Sequence, residues 1–92
     1  MKFLHSDFWI GPSDAVVVTL DGQANVMLLD DANYSAYRCG RSFHYYGGWA
    51  TKSPVKLVPP SQGHWNVIID LGGYAGTLRA GVRVIQRELA NT

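Results

Sequence analysis

"HWNVIIDLGGYAGTLRAGVRV", residues 64 to 84, holds two runs of alternating apolar and polar side chains around a glycine-rich interruption. Trp65, Val67, Ile69 and Leu71 share one parity in the first run, and Leu78, Ala80, Val82 and Val84 share one in the second. A period of two marks a strand half buried in a sheet, because successive side chains point to opposite faces. Folded as an antiparallel hairpin with "GGYAGT" as its loop, Leu71 meets Leu78, Ile69 meets Ala80, Val67 meets Val82 and Trp65 meets Val84. The reverse face then sets Asp70 against Arg79 and Asn66 against Arg83, and a charge pair there is worth about 0.2–1 kcal/mol. A slip of one residue would drive both arginines among the apolar side chains, so this register is the one the pattern predicts.

The same period runs outward through the chain. Val16, Val18 and Leu20 alternate in "DAVVVTL", and Val55 and Leu57 in "SPVKLV". Between the runs lie "GPSD", "DGQ", "YGG" and "PPSQG", rich in residues that accept positive φ or preset a turn. Six to eight short strands at this spacing predict an all-β fold, a compact antiparallel β-sandwich of jelly-roll type, with a small β-barrel as the alternative. A second hairpin over 14 to 29, turning at Asp21 to Gln23, would oppose Val16 to Leu28, Val18 to Val26 and Leu20 to Ala24. Its other face still carries Ala15, Val17, Met27 and Leu29, too apolar for water, so a further segment or a second chain should cover it. Segment 30 to 39, "DDANYSAYRC", is the one expected helical turn and a candidate cover: Asp30 or Asp31 can cap it, Tyr34 and Tyr37 share a face, and Gly40 can end it. The domain is expected over residues 1–86, with 87–92 as a C-terminal tail.

Composition narrows the function classes. A chain of 92 residues forms one domain, and burying only about 60–70% of its surface it needs most of its large apolar side chains inside. Hydrophobic residues at 47% and charged residues at 16% suit a soluble globule rather than a disordered segment or a membrane span. Eight basic against seven acidic residues leave a net charge of +1, which argues against nucleic acid as the main partner. Cys39 stands alone, so no internal disulfide forms, and a reducing, cytoplasmic location is expected. His5 and Asp7 break the apolar run of "MKFLHSDFW" before it reaches signal-peptide length.

Few residues suggest catalysis. His5, His44 and His64 with Asp7, Asp14 and Cys39 lack the paired short spacing of zinc sites, so no metal and no cofactor are expected. Ser53 or Ser61 with His64 and Asp70 could make a hydrolytic set, but no nucleophile elbow surrounds either serine. Cys39 has Arg38 and Arg41 beside it yet no positioned base. The glycines of "GGYAG" lead into a strand, whereas a phosphate loop needs a helix behind it. No catalytic residue is assigned, and a hydrolase is only the minority reading. The aromatic residues are the stronger candidates. Tyr45, Tyr46 and Trp49 in "HYYGGWATKSPV" (44 to 55), with Tyr74 in the other loop, could form a stacking platform for a sugar, a base or a peptide, with Arg38, Arg41, His44 and His64 supplying polar groups. The competing reading places Tyr45 or Tyr46 inside with Trp49 as a plug, so that Tyr46→Ala or Trp49→Ala would unfold the domain while Tyr74→Ala, at a glycine-rich tip, would be tolerated.

The runs "ANVMLLDDANYSAYRCG", "HYYGGWATKSPVKL" and "GHWNVIIDLGGYAGTLRAGVRVI" resemble a family of small bacterial all-β proteins classed as a domain of unknown function, over about residues 1 to 86. The resemblance implies a compact β domain that occurs alone or fused to Toll/interleukin-1 receptor type domains in signalling or defence proteins. It implies no reaction. Family members often carry Arg or Lys before the Tyr-Tyr-Gly-Gly step, where this chain has His44, which weighs against a fixed cation there. Together these readings predict a non-catalytic binding or interaction module, its aromatic loops taking a small polar ligand such as a sugar or nucleotide. The alternative is a homo-oligomerising (homodimeric) or partner-docking domain that uses the apolar face of the first hairpin.

Overall fold

Among the described residues seven strands and one helix follow one another: β1 (Phe3–Ile10), β2 (Asp14–Leu20), β3 (Ala24–Asp30), α1 (Asp31–Arg38), β4 (Tyr46–Ala50), β5 (Val55–Leu57), β6 (Gly63–Asp70) and β7 (Ala80–Gln86). The structure, a computed structural model, describes residues 2–86. The expected C-terminal tail, 87–92, lies outside them. The strands form two sheets, β1-β6-β3-β4 and β5-β2-β7, and every pairing is antiparallel. The sheets do not close into a barrel, so the sandwich expectation holds and the barrel alternative does not. Among the described residues no helix is long and apolar enough to cross a membrane.

Both expected hairpins are corrected. Strand β6 does not pair with β7; it lies between β1 and β3, with Phe8 opposite Trp65 and Leu28 opposite Val67, while β7 pairs with β2, Val16 opposite Val84. Strands β2 and β3 likewise belong to different sheets, although the turn between them spans Asp21 to Gln23 as expected. The face assignments survive. Val16, Val18, Val26, Leu28, Trp65, Val67 and Ile69 are all buried in one core, against which Leu71, Leu78, Ala80, Val82 and Val84 pack. Alternation identifies an apolar face, but that face can be satisfied by a neighbour across the sandwich as well as by one alongside. Of the places where the chain crosses from sheet to sheet, 21–23 and 71–79 are tied together: the Asp21 N–H donates to the Arg79 carbonyl, and the Arg79 N–H to Asp21 Oδ1.

The second face of β3 and β6 is covered as the sequence requires. Asp30 Oδ1 accepts from the Asn33 N–H at 2.8 Å and caps α1. At the other end Gly40, at φ +72°, lets its own N–H reach the Tyr37 carbonyl and the Arg41 N–H reach that of Ala36, the paired bonds of a Schellman stop. Capped at both ends, the helix lays Tyr34 and Tyr37 over Met27, Leu29 and Ile68, with Phe3 and Phe43 at the margins. Ala15 and Val17 are buried too, so the first-hairpin face expected to serve as a docking patch is closed.

The arginine partners expected for Asp70 and Asn66 are replaced by others, because both residues are buried on the helix side of β6 while Arg79 and Arg83 are exposed. Asp70 accepts from Asn25 Nδ2 (2.8 Å), the Tyr37 hydroxyl (2.7 Å) and the Gly72 N–H (2.8 Å). Burial, and then the bond to this carboxylate, push the Tyr37 hydroxyl well above the usual tyrosine range and keep it a donor. Asp70→Ala strips three donors of their acceptor, and urea unfolding should show a loss of roughly 1–3 kcal/mol for each donor that stays dry. Gly47, in β4, holds φ at +113°, and a Cβ there would collide with the Val26 carbonyl. Gly47→Ala should cost at least about 1–3 kcal/mol of unfolding free energy, read as a lower urea midpoint with the slope unchanged; a neutral result would show that β4 can relax away from β3.

Candidate functional site

The aromatic residues of 44–49 and Tyr74 do not form one platform. Strand β4 sets Tyr46 opposite Leu28, on the core side of the sheet, and Trp49 opposite Asn25, on the helix side. Tyr46 (50% exposed) and Trp49 (44%) are both too open to be core plugs, which removes the basis for expecting either truncation to unfold the domain. Trp49 instead meets Tyr74, the most exposed of the four, with ring centroids 5.9 Å apart at the end of the sandwich where 71–79 crosses. Tyr46 packs edge-on against Trp65, 6.0 Å between centroids, at the opposite end.

At that end a cleft of about 360 Å³ opens between the close of β3, the first turn of α1 and the approach to β4. Its walls are Asp30, Asn33, His44, Tyr45, Tyr46 and Trp65. Trp65 is held in place by its indole N–H, which donates to the Ser61 carbonyl at 2.9 Å. The capping geometry that starts the helix also shapes the cleft: Asn33 donates to Asp30 through its backbone and its side chain, and its Oδ1 accepts from the His44 N–H at 2.7 Å. Other polar groups remain open. Among the described residues the His44 imidazole, the Tyr45 and Tyr46 hydroxyls and Asp30 Oδ2 make no hydrogen bond to protein.

Behind the cleft, Asp31 and His64, neighbours of Asp30 and Trp65, belong to a second arrangement. His64 Nε2 lies 2.6 Å from Asp7 Oδ2, and its Nδ1 lies 2.7 Å from Asp31 Oδ1. Donating to both carboxylates requires an imidazolium, and these bonds, first Asp7 and then Asp31, hold the ring above its ordinary 6.5. Asp31 is held below its ordinary 3.8 by the Asn66 amide first and by His64 second. Asn66 Nδ2 donates to Asp31 at 2.8 Å, and Asn66 Oδ1 contacts His5 Nε2 at 2.8 Å, with the His5 ring stacked on Tyr34. Both nitrogens of His64 are thus committed, and no group of three or more His, Cys, Asp or Glu side chains suited to a metal occurs among the described residues.

The other candidates lie apart. Arg38 sits over the Tyr34 ring, 5.7 Å from its centroid, and Arg41 follows the helix stop. Cys39 is exposed at that stop. The serine, histidine and aspartate set is dispersed: Ser53 Oγ accepts from the Leu20 N–H, His64 is bound by Asp7 and Asp31, and Asp70 by Asn25 and Tyr37. Sequence reasoning found His44, Tyr45 and Tyr46 but missed Asp30, Asn33 and Trp65 as cleft walls. Composition offered no signal for these, since they were accounted for as cap, helix and core. For Asn66 and Asp70 a signal existed: polar residues inside "WNVIID", a strand apolar on both parities, must find partners when buried.

A two-sheet antiparallel β domain with one capping helix and a small aromatic cleft is therefore the class of protein. Residues 1–88 match the model of a family described as a domain of unknown function, DUF1883, and the chain belongs to that family. No curated protein and no solved structure matches the chain.

The bridge at His64 has a defined pH window. A raised histidine value stabilises the fold below about pH 6.5 and loses that contribution as pH rises through the folded value. A lowered aspartate value stabilises it above about 3.8 and loses that contribution as pH falls through the folded value. Thermal melts should thus show a stabilising contribution from the bridge between these limits, and His64→Gln should flatten the alkaline side of the profile. A proton NMR titration placing His64 at or below 6.5 would show that the bridge does not persist in solution.

Proposed function

We infer that the protein is a non-catalytic binding module and that the cleft beside α1 takes a small neutral polyol, a single sugar ring in the first instance. The observation that carries this reading is the pairing of ring walls (Tyr45, Tyr46 and Trp65) with polar groups that have no protein partner among the described residues: the His44 imidazole, the two tyrosine hydroxyls and Asp30 Oδ2. Aromatic faces shed water against the C–H faces of a sugar, and fixed donors and acceptors read its hydroxyls. A volume of about 360 Å³ falls at the low end of ligand pockets and suits one ring. Among the described residues no lysine or arginine lines the cleft, and a carboxylate does, which favours a neutral ligand over a nucleotide phosphate. The lone exposed thiol of Cys39 suits a reducing, cytoplasmic setting in a bacterial cell.

Calorimetric titration with a panel of neutral mono- and disaccharides, nucleosides and nucleotides tests this. At least one neutral sugar should saturate, and Tyr45→Ala should weaken it about tenfold or more with an unchanged melting temperature. A panel in which only phosphorylated ligands bind, or in which Tyr45→Ala binds as the parent does, would refute the assignment.

A further inference from the structure

The two sheets present four edge strands, and three of them are protected. Strand β4 carries Gly47 and Gly48, both at positive φ, β5 has only three residues, and β7 carries Gly81 and the charged Arg83. These are the usual devices that keep a sheet edge from pairing with another chain. Strand β1 is neither short nor broken by glycine, and its one carboxylate, Asp7, is engaged by His64. It is eight residues long, contains no proline, glycine or lysine, pairs among the described residues only with β6, along one side, and exposes Leu4 (49%) and Trp9 (76%).

Its sequence, FLHSDFWI, is also self-complementary. Two copies run antiparallel about a two-fold axis at Ser6 set Phe3 against Trp9, Leu4 against Phe8 and His5 against Asp7, each pair on a single face of the sheet. Register β1 to β6 confirms the faces: His5, Asp7 and Trp9 lie opposite Ile68, Asn66 and His64 on the helix side, and Leu4 and Phe8 opposite Ile69 and Trp65 on the core side. Moving the axis one residue either way sets His5 against His5 or Asp7 against Asp7, so the aligned register is also the one that avoids like groups. Leu4 also borders a groove at the start of β1, shared with Lys2, Phe3, Ile69, Asp70 and Leu78.

We propose that the chain forms a two-fold homodimer through antiparallel pairing of the β1 edges, joining the two four-stranded sheets into one of eight strands. The occupant of this edge is a second copy because the complementarity is that of the strand with itself. In sedimentation experiments at roughly 100 μM the protein should run at twice its chain mass of 10.1 kDa. Leu4→Lys, at a half-exposed position, should raise the dissociation constant about tenfold or more with the melting profile of the monomer retained. Register is read by cross-linking in a Cys39→Ser background: Ser6→Cys lies on the axis and should oxidise to a covalent dimer, as directly opposed residues fall within disulfide range, whereas Leu4→Cys, opposite Phe8, should not. A monomer at that concentration, a dimer insensitive to Leu4→Lys, or equal cross-linking of the two cysteine variants would each overturn the proposal.

Discussion

Strand β6 is buried on both faces, and the polar residues it carries inward must be satisfied there. Asp70 draws in the start of β3 through Asn25, the helix through Tyr37 and the following loop through Gly72. Asn66 does the same at the other end, contacting His5 of β1 and donating to the Leu29 carbonyl and to Asp31 at the helix start. A buried amide or carboxylate without partners would cost more than most single apolar contacts return, so these two residues restrict how β1, β3 and α1 can sit around β6. Every buried side-chain polar atom among the described residues has a partner.

The same constraint places the cleft. With α1 drawn onto β3 and β6, its capping residue Asp30 stands at the rim of the sheet, and the return of the chain through 40–45 brings His44 and Tyr45 alongside it. The rings that wall the cleft belong to residues whose neighbours face the core or the helix, so the site borrows rigidity from two packed layers. The helix side of the sheet carries the His64 bridge, and its imidazolium ties β6 to β1 and to α1 at the same end of the molecule. The cleft and the charged bridge thus share one end of the sandwich, while Trp49 and Tyr74 meet at the other.

Edges complete the picture. A sandwich leaves strands at its margins with unpaired backbone groups, and three of the four edges here are shortened, kinked by glycine or charged. The fourth, β1, is eight residues long without glycine or proline, and its Phe3 and Phe8 pack against the two cores on either side of the sheet.

The sequence by itself determined β2, β3, β5, β6 and β7, the capped helix and their apolar faces, but not β1 or β4, the latter read as an aromatic loop. The period of two in 64–71 and 78–84, the cap at Asp30 and the stop at Gly40 are local features, set by where side chains point and which backbone groups lack partners within a few residues. It did not determine which strand lies beside which. Val67 and Val82 belong to the same core whether they are lateral neighbours or face each other across the sandwich, and alternation is identical in the two cases. Only the tertiary structure decided between them, because the choice turns on Asn66 and Asp70: on a wet outer face they would pair with arginines, but under a helix they need the amides, hydroxyl and carbonyl that β1, β3 and α1 bring from distant parts of the chain. The cleft was half legible for the same reason. Its tyrosines and His44 lie together in sequence, whereas Asp30, Asn33 and Trp65 join them only when non-local packing folds β3, α1 and β6 around the approach to β4.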